Sequence, residues 1–213
     1  HLVLTGGSMG SAILAGAGAS GLLGLVDWSL LHLWWGDERY LPAGHPDRND
    51  TQNRAALLDA LPLDPANVHA VAGPDRSTSV HDSAQQYAGQ LAAAAAPGQA
   101  LPDFDILLLG VGPDAHVASL FPGHPSLSVT DRAVMGISDS PKPPPERVTM
   151  TFPTLARATQ TWFLVSGADK ADAVKRSLAG APTNQAPAGT PHGRQRTLWL
   201  VDAAAAAEVA APA

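Results

Sequence analysis

The sequence predicts an α/β fold: a single domain built on one open, mostly parallel sheet with helices on both faces, in Rossmann-like layers. Three observations lead there. Short apolar runs alternate with alanine-rich stretches along the whole chain. The runs are apolar on both of their faces, as strands covered on two sides are. No repeat and no long linker divides the 213 residues, a length that suits one large core. Such alternation implies parallel pairing through right-handed crossovers.

Leu2–Thr5 is the first expected strand and Ser11–Ala17 the first helix. Ser29–Trp35 reads as the second strand. Thr51–Leu61 follows as a helix, with Asp50 and Thr51 as candidate N-caps. Val80–Ala96 is the longest helical stretch, and Pro97-Gly98 stops it. Phe104–Leu109, Gln160–Val165 and Leu198–Val201 supply the remaining strands, with helices at Ala171–Ala179 and Ala203–Val209. Pro141–Pro145 is expected to be a rigid surface connection and Ala181–Arg196 a mobile loop.

Composition narrows the function classes. Without cysteine the chain can hold no disulfide scaffold, thiolate zinc site or cysteine nucleophile. Its net charge of −6 argues against a nucleic-acid partner, which calls for a basic face. No apolar run approaches the roughly 20 residues of a membrane helix. The chain opens on His1 and runs into a strand instead of a signal peptide, so a cytoplasmic location is expected. A monomer or small homo-oligomer is the expected state.

In open parallel sheets, ligands bind beyond the carboxyl ends of the strands. Four polar segments fall at such ends: Gly6-Gly7-Ser8, Gly36-Asp37-Glu38-Arg39, Gly112-Pro113-Asp114-Ala115-His116 and Gly167-Ala168-Asp169-Lys170. The glycine turn leading into a helix offers free amides and a positive dipole end to a phosphate. An ordinary strand–helix turn capped by Ser8 explains it as well. The same residues through Gly10 fit G-x-S-x-G, the serine-hydrolase elbow, although almost nothing precedes it in the chain. Asp37 and Glu38 point opposite ways in extended backbone and cannot form a dyad. The planar fork of Arg39 suits an anion, or a surface ion network with its acidic neighbours.

His116 can act as base and then acid near neutrality, with Asp114 as a candidate orienter; a structural or solvent-exposed loop histidine is the other reading. Gly16–Gly21 and Gly110–Ala115 resemble dinucleotide fingerprints. The first follows helical sequence, and Pro113 removes a needed amide from the second. The histidines show no metal-ligand spacing. Lys142, Lys170 and Lys175 are the only lysines. Lys170 sits at a helix start, where a cation opposes the dipole and a bound phosphate offsets that opposition.

Taken together, these motifs resemble the 6-phosphogluconolactonase family, within the wider glucosamine-6-phosphate deaminase-like superfamily. The residues that carry the likeness are Leu4–Ser8, Trp35–Tyr40, His45–Asn49, Gly110–His124, Lys142–Thr149 and Gly167–Ala171. The resemblance implies hydrolysis of 6-phospho-glucono-1,5-lactone to 6-phosphogluconate in the oxidative pentose phosphate pathway, with no metal and no cofactor. His116 matches the general base. Arg39 positions substrate and stabilises developing charge, and Asp37 and Asp114 are further pocket residues. Gly6, Gly7, Ser8 and Lys170 map to the phosphate site, and Arg147 to an anion contact.

Ala115 stands where the family usually has glycine, and Met9-Gly10 where Thr-Pro is usual. The resemblance implies a strand–helix unit before His1 that is not among these residues. An amino-sugar-phosphate deaminase and a non-enzymatic sugar-phosphate sensor are the rival expectations. The lactonase-like Ser119–Pro122 and Lys142–Arg147 segments disfavour the first; the second would lack a base and would show a DNA-binding segment.

Overall fold

The computed structural model describes residues 1–209. Their strands are β1 (Leu2–Leu4), β2 (Leu33–Trp35), β3 (Asp37–Arg39), β4 (Phe104–Gly110), β5 (Val134–Ile137), β6 (Arg147–Met150), β7 (Ala158–Val165) and β8 (Arg196–Val201). The helices are α1 (Gly7–Ala19), α2 (Asn49–Ala56), α3 (Val80–Ala93), α4 (Phe152–Leu155) and α5 (Ala171–Leu178). Five strands form the main sheet in the order β2-β1-β4-β7-β8, every pair parallel. That is the expected fold class.

Period-two alternation splits the apolar residues of each strand between two cores. On one face Leu4, Leu33, Trp35, Leu108 and Leu164 meet Leu14 of α1 and the Leu57-Leu58 pair beyond α2. On the other, Val3, Trp34, Leu107, Leu109 and Phe163 meet Val80, Tyr87 and Leu91 of α3 and Val174 of α5. Tyr87 ties α3 to β2 through its hydroxyl, which accepts from the Trp35 amide at 2.8 Å and donates to the Trp35 carbonyl at 3.1 Å.

The chain leaves β1 for β2 on one side and returns to β4 on the other. The loops after β1 and β4 therefore diverge to opposite faces, and a crevice opens at this switch point.

A second, antiparallel sheet of order β3-β6-β5 was not expected. Its strands are three or four residues long, too short for periodicity to register. β3 reads Asp-Glu-Arg, polar throughout. It is a strand because Gly36 alone separates it from β2 and β6 supplies its hydrogen-bond partners. The pleat sends Asp37 and Arg39 to one side and buries Glu38 on the other, where it is 1% exposed.

Other expectations shift. In Ser29–Trp35 only Leu33–Trp35 is strand; Trp28–Leu30 is a 3-10 turn capped by the Asp27 carboxylate. The expected Thr51–Leu61 helix begins at Asn49 and gives way to a 3-10 turn at Leu58–Ala60. Neither Asp50 nor Thr51 caps it. The Glu38 carboxylate does, accepting from the amides of Asn49 at 2.7 Å and Asp50 at 2.9 Å.

Residues 203–208 are successive turns, not a helix. Ala205 alone among them is buried, and alanine propensity without an apolar face to bury does not hold a short helix. The segment expected to be a mobile loop is packed: Ala186 and Ala188 are fully buried, and the Ala188 amide donates to the Ala115 carbonyl at 3.0 Å. Among the described residues no helix is long and apolar enough to cross a membrane.

Candidate active site

The four strand-end segments converge on one cavity of about 280 Å³, within the switch-point crevice. It is lined by Gly6, Gly7, Ser8, Asp37, Arg39, His116, Arg147 and Lys170, with Thr5, Met9, Asn49 and Ser166 among the others. Of the residues that the family resemblance assigns to the site, all but Asp114 line the cavity, and Asp114 is hydrogen-bonded to His116.

The β1 end supplies a helix start. Gly6 is the N-cap residue of α1 and offers no side-chain cap, and no acidic residue occupies the first turn. The leading amides of α1 thus meet the cavity without a carboxylate to neutralise them. Ser8 is not the N-cap but lies inside the helix, exposed. Among the described residues no histidine hydrogen-bonds to it, so the serine-elbow arrangement is not assembled. Gly6 is required for a second reason: a Cβ there would overlap the Asn49 side-chain amide. That amide donates to the Asp37 carbonyl at 2.8 Å and fastens α2 beneath β3.

The cavity face of β3 presents Asp37 and Arg39. The Asp37 carboxylate accepts from Ser119 Oγ at 2.6 Å and lies 4.0 Å from Arg147 Nη1. Arg39 donates one guanidinium N–H to the Asp47 carbonyl at 2.5 Å, which holds the fork at the cavity rim. Below them Glu38 faces Arg48 at 3.8 Å, each about 1% exposed. Burial pushes the Glu38 carboxyl up, to about 8, against the opposing pull of Arg48 and of the amides it accepts. Arg48 and Asn49 stand in the sequence only as part of the family-like His45–Asn49 run; their role as supports appears once α2 folds back on β3.

Past β4 the chain makes a tight turn, with the Ala115 amide donating to the Gly112 carbonyl at 2.9 Å and the Gly112 amide to the His116 carbonyl at 3.0 Å. It sets His116 Nδ1 2.5 Å from Asp114 Oδ1 and lays the imidazole against Phe121, ring centroids 4.8 Å apart. His116 Nε2 has no hydrogen-bond partner among the described residues. Partial burial pushes the Asp114 carboxyl up. The hydrogen bond and charge of His116, and then those of Lys142, outweigh it and hold the group well below the usual carboxylate range.

Ala115 has φ +70° and is fully buried, a conformation that costs an L-residue ~1–2 kcal/mol. Ala115→Gly removes that cost. It also forfeits a buried methyl worth ~0.8 kcal/mol and loosens the unfolded chain by ~0.4–1 kcal/mol. The terms nearly cancel, so a denaturant titration is expected to show a change below about 1 kcal/mol, with turnover retained.

At the β7 end, Lys170 is the N-cap residue of α5, and its Nζ lies 3.2 Å from the Asp169 carboxylate, which relieves part of the dipole conflict. The Lys170 side chain also lines the cavity. Arg147 is committed elsewhere. It donates to the Pro143 carbonyl at 2.8 Å and the Pro144 carbonyl at 3.2 Å, so its Nη1 alone faces Asp37 across the cavity floor. Among the described residues no cluster of three or more His, Cys, Asp or Glu side chains is arranged to hold a metal ion.

Fold and site define a doubly wound α/β protein. Three cationic side chains, a bare helix start and a histidine held by a carboxylate line its switch-point cleft. A family model described as glucosamine-6-phosphate isomerases/6-phosphogluconolactonase matches residues 1–199. The chain is 52% identical to the 6-phosphogluconolactonase of Streptomyces coelicolor, over 98% of this chain and 81% of that one. Among solved structures it is similar to the devB protein, 30% identical with a TM-score of 0.86, covering 99% of this chain and 87% of that one. It is also similar to 6-phosphogluconolactonase from Trypanosoma cruzi, 28% identical with a TM-score of 0.82, covering 99% and 84%. The chain belongs to the glucosamine-6-phosphate isomerase/6-phosphogluconolactonase family.

Proposed function

We propose that the protein hydrolyses 6-phospho-glucono-1,5-lactone to 6-phosphogluconate, as a cytoplasmic enzyme of the oxidative pentose phosphate pathway. The observation that carries this reading is His116, held at Nδ1 by Asp114 and open at Nε2, in the same cavity as Lys170 and the bare start of α1. One end of the cavity suits a phosphate and the other suits water activation. The names of the relatives supply the substrate class.

In this reading the phosphate rests on the α1 amides of Gly7 and Ser8, beside Lys170 and Arg39. His116 Nε2 takes a proton from water as the oxygen adds to the lactone carbonyl. Arg39 and Arg147 Nη1 face the negative charge that develops on that carbonyl oxygen. The carbon–ring-oxygen bond then breaks. The proton held by His116 passes to the departing oxygen, and the carboxylic acid so formed gives its own proton to solvent and leaves as a carboxylate. No step calls for a metal or an organic cofactor.

The direct test is the rate of lactone opening on freshly generated substrate, corrected for spontaneous hydrolysis; a rate equal to the uncatalysed one sinks the proposal. Lys170→Ala is expected to raise KM about tenfold or more, the loss of one charge-assisted contact, while kcat stays within about threefold. An unchanged KM counts against Lys170 as a phosphate ligand.

A further inference from the structure

The Pro-rich segment between β5 and β6 does more than connect them. Lys142 Nζ donates to Asp114 Oδ1 at 2.9 Å and sits 3.2 Å from His116 Nδ1. Three ionisable groups thus meet at one point, on the side of the imidazole away from the cavity. From their contacts we propose that Lys142 is a positioning residue for the reaction: it fixes the tautomer of His116 by keeping Asp114 an ionised acceptor, which leaves Nε2 bare for water.

An ammonium has donors only, so Lys142 Nζ needs acceptors around it. Asp114 Oδ1 takes hydrogen bonds from Lys142 and, at 2.5 Å, from the imidazole. Two lone pairs cannot face one another at that separation, so a proton lies between Nδ1 and Oδ1. With the ammonium beside it, the carboxylate does not keep that proton, which stays on Nδ1. A neutral imidazole protonated at Nδ1 is a base at Nε2. The Asp114–Lys142 pair carries no net charge, so the histidine works beside a balanced dipole. Once His116 has gained a proton, the nearby ammonium favours passing it on to the leaving oxygen.

The lysine is delivered by a built support. Ser140 Oγ donates to the Lys142 carbonyl at 2.8 Å and accepts from the Lys142 amide at 3.2 Å. Arg147 reaches the carbonyls of residues 142, 143 and 144 and lies over the Phe121 ring, 5.8 Å from its centroid. Phe121 is also the surface on which the His116 ring rests. Arg147 therefore sets the lysine loop and the histidine against one another.

The inference rests on His116 as base, so its test separates the two. Lys142→Met, Lys142→Arg and His116→Ala are compared in the full chain, by steady-state kinetics and by the ring-nitrogen NMR shifts of His116. Lys142→Met is expected to lower kcat about tenfold or more, with KM within twofold, and to turn a single Nδ1–H tautomer into a mixture. Lys142→Arg restores part of both. A raised KM with kcat kept makes Lys142 a substrate ligand and overturns the proposal. So does a fall in kcat with the tautomer unchanged, or wild-type kinetics throughout. If His116→Ala itself turns over like the parent, it is the base assignment that fails; an inactive His116→Ala beside a wild-type Lys142→Met defeats this inference alone.

Discussion

His116→Ala is expected to lower kcat/KM for lactone hydrolysis by roughly 10²–10⁴, the range a positioned general base contributes. In barrier terms that is about 3–5.5 kcal/mol. The side chain is 20% exposed and packs on Phe121, so its removal leaves a small opening at the cavity wall, not a hole in the core. The variant is expected to stay folded. Asp114 keeps Lys142 as its partner, so no unpaired charge is buried by the change. Initial rates and a thermal melt on the same preparation check both halves. Near-parental kcat/KM in a folded variant would falsify the assignment of His116 as base.

Gly112→Ala is expected to lower kcat by about 10²-fold or more without touching any group that reacts. A Cβ at Gly112 would overlap the His116 imidazole and the Asp114 carboxylate. These are the two groups whose hydrogen bond aims the base. The ring is backed by Phe121 and the turn is closed by the Gly112–His116 backbone hydrogen bond, so relief comes from the two side chains turning away from the new methyl. The imidazole must swing off its aim, and a displacement of about 1 Å at a reacting group can cost ~10²-fold. Overpacking adds a stability loss of about 1–3 kcal/mol. The signature is a collapse of kcat with KM for the phosphorylated lactone within about threefold, since the atoms nearest the new Cβ belong to His116 and Asp114 and not to Lys170 or the α1 amides. Full activity would mean that the turn tolerates a side chain and does not set the histidine.

The cleft was legible in the sequence because it sits where any parallel sheet puts its ligand. Gly6-Gly7-Ser8, Asp37, Arg39, Asp114, His116 and Lys170 all follow apolar runs whose ends had to share an edge. The second sheet was not legible. A strand such as Asp37–Arg39 exists through its neighbours, and its own residues carry no β signal. The alanines of 203–208 misled in the opposite sense, local preference promising a helix that packing does not support. Arg147 lines the cavity, yet most of its donors serve backbone carbonyls. Lys142 was visible as one of three lysines and as the first residue of the lactonase-like Lys142–Thr149 segment, with no role attached to it. Nothing local to a proline-rich segment tells that its charge ends beside a histidine 26 residues earlier; that contact belongs to the tertiary fold.

The cavity draws on residues from Thr5 to Lys170, taken from the ends of β1, β4 and β7 and from both sheets. No contiguous fragment shorter than that span contains the site, and strand pairings distant in sequence must close before it exists. Such closures are slow relative to helix formation. A refolding chain therefore regains its helices well before its turnover. A chain nicked between two of these segments is inert unless its pieces reassemble. Catalysis in this molecule is an all-or-none report on the completeness of the fold.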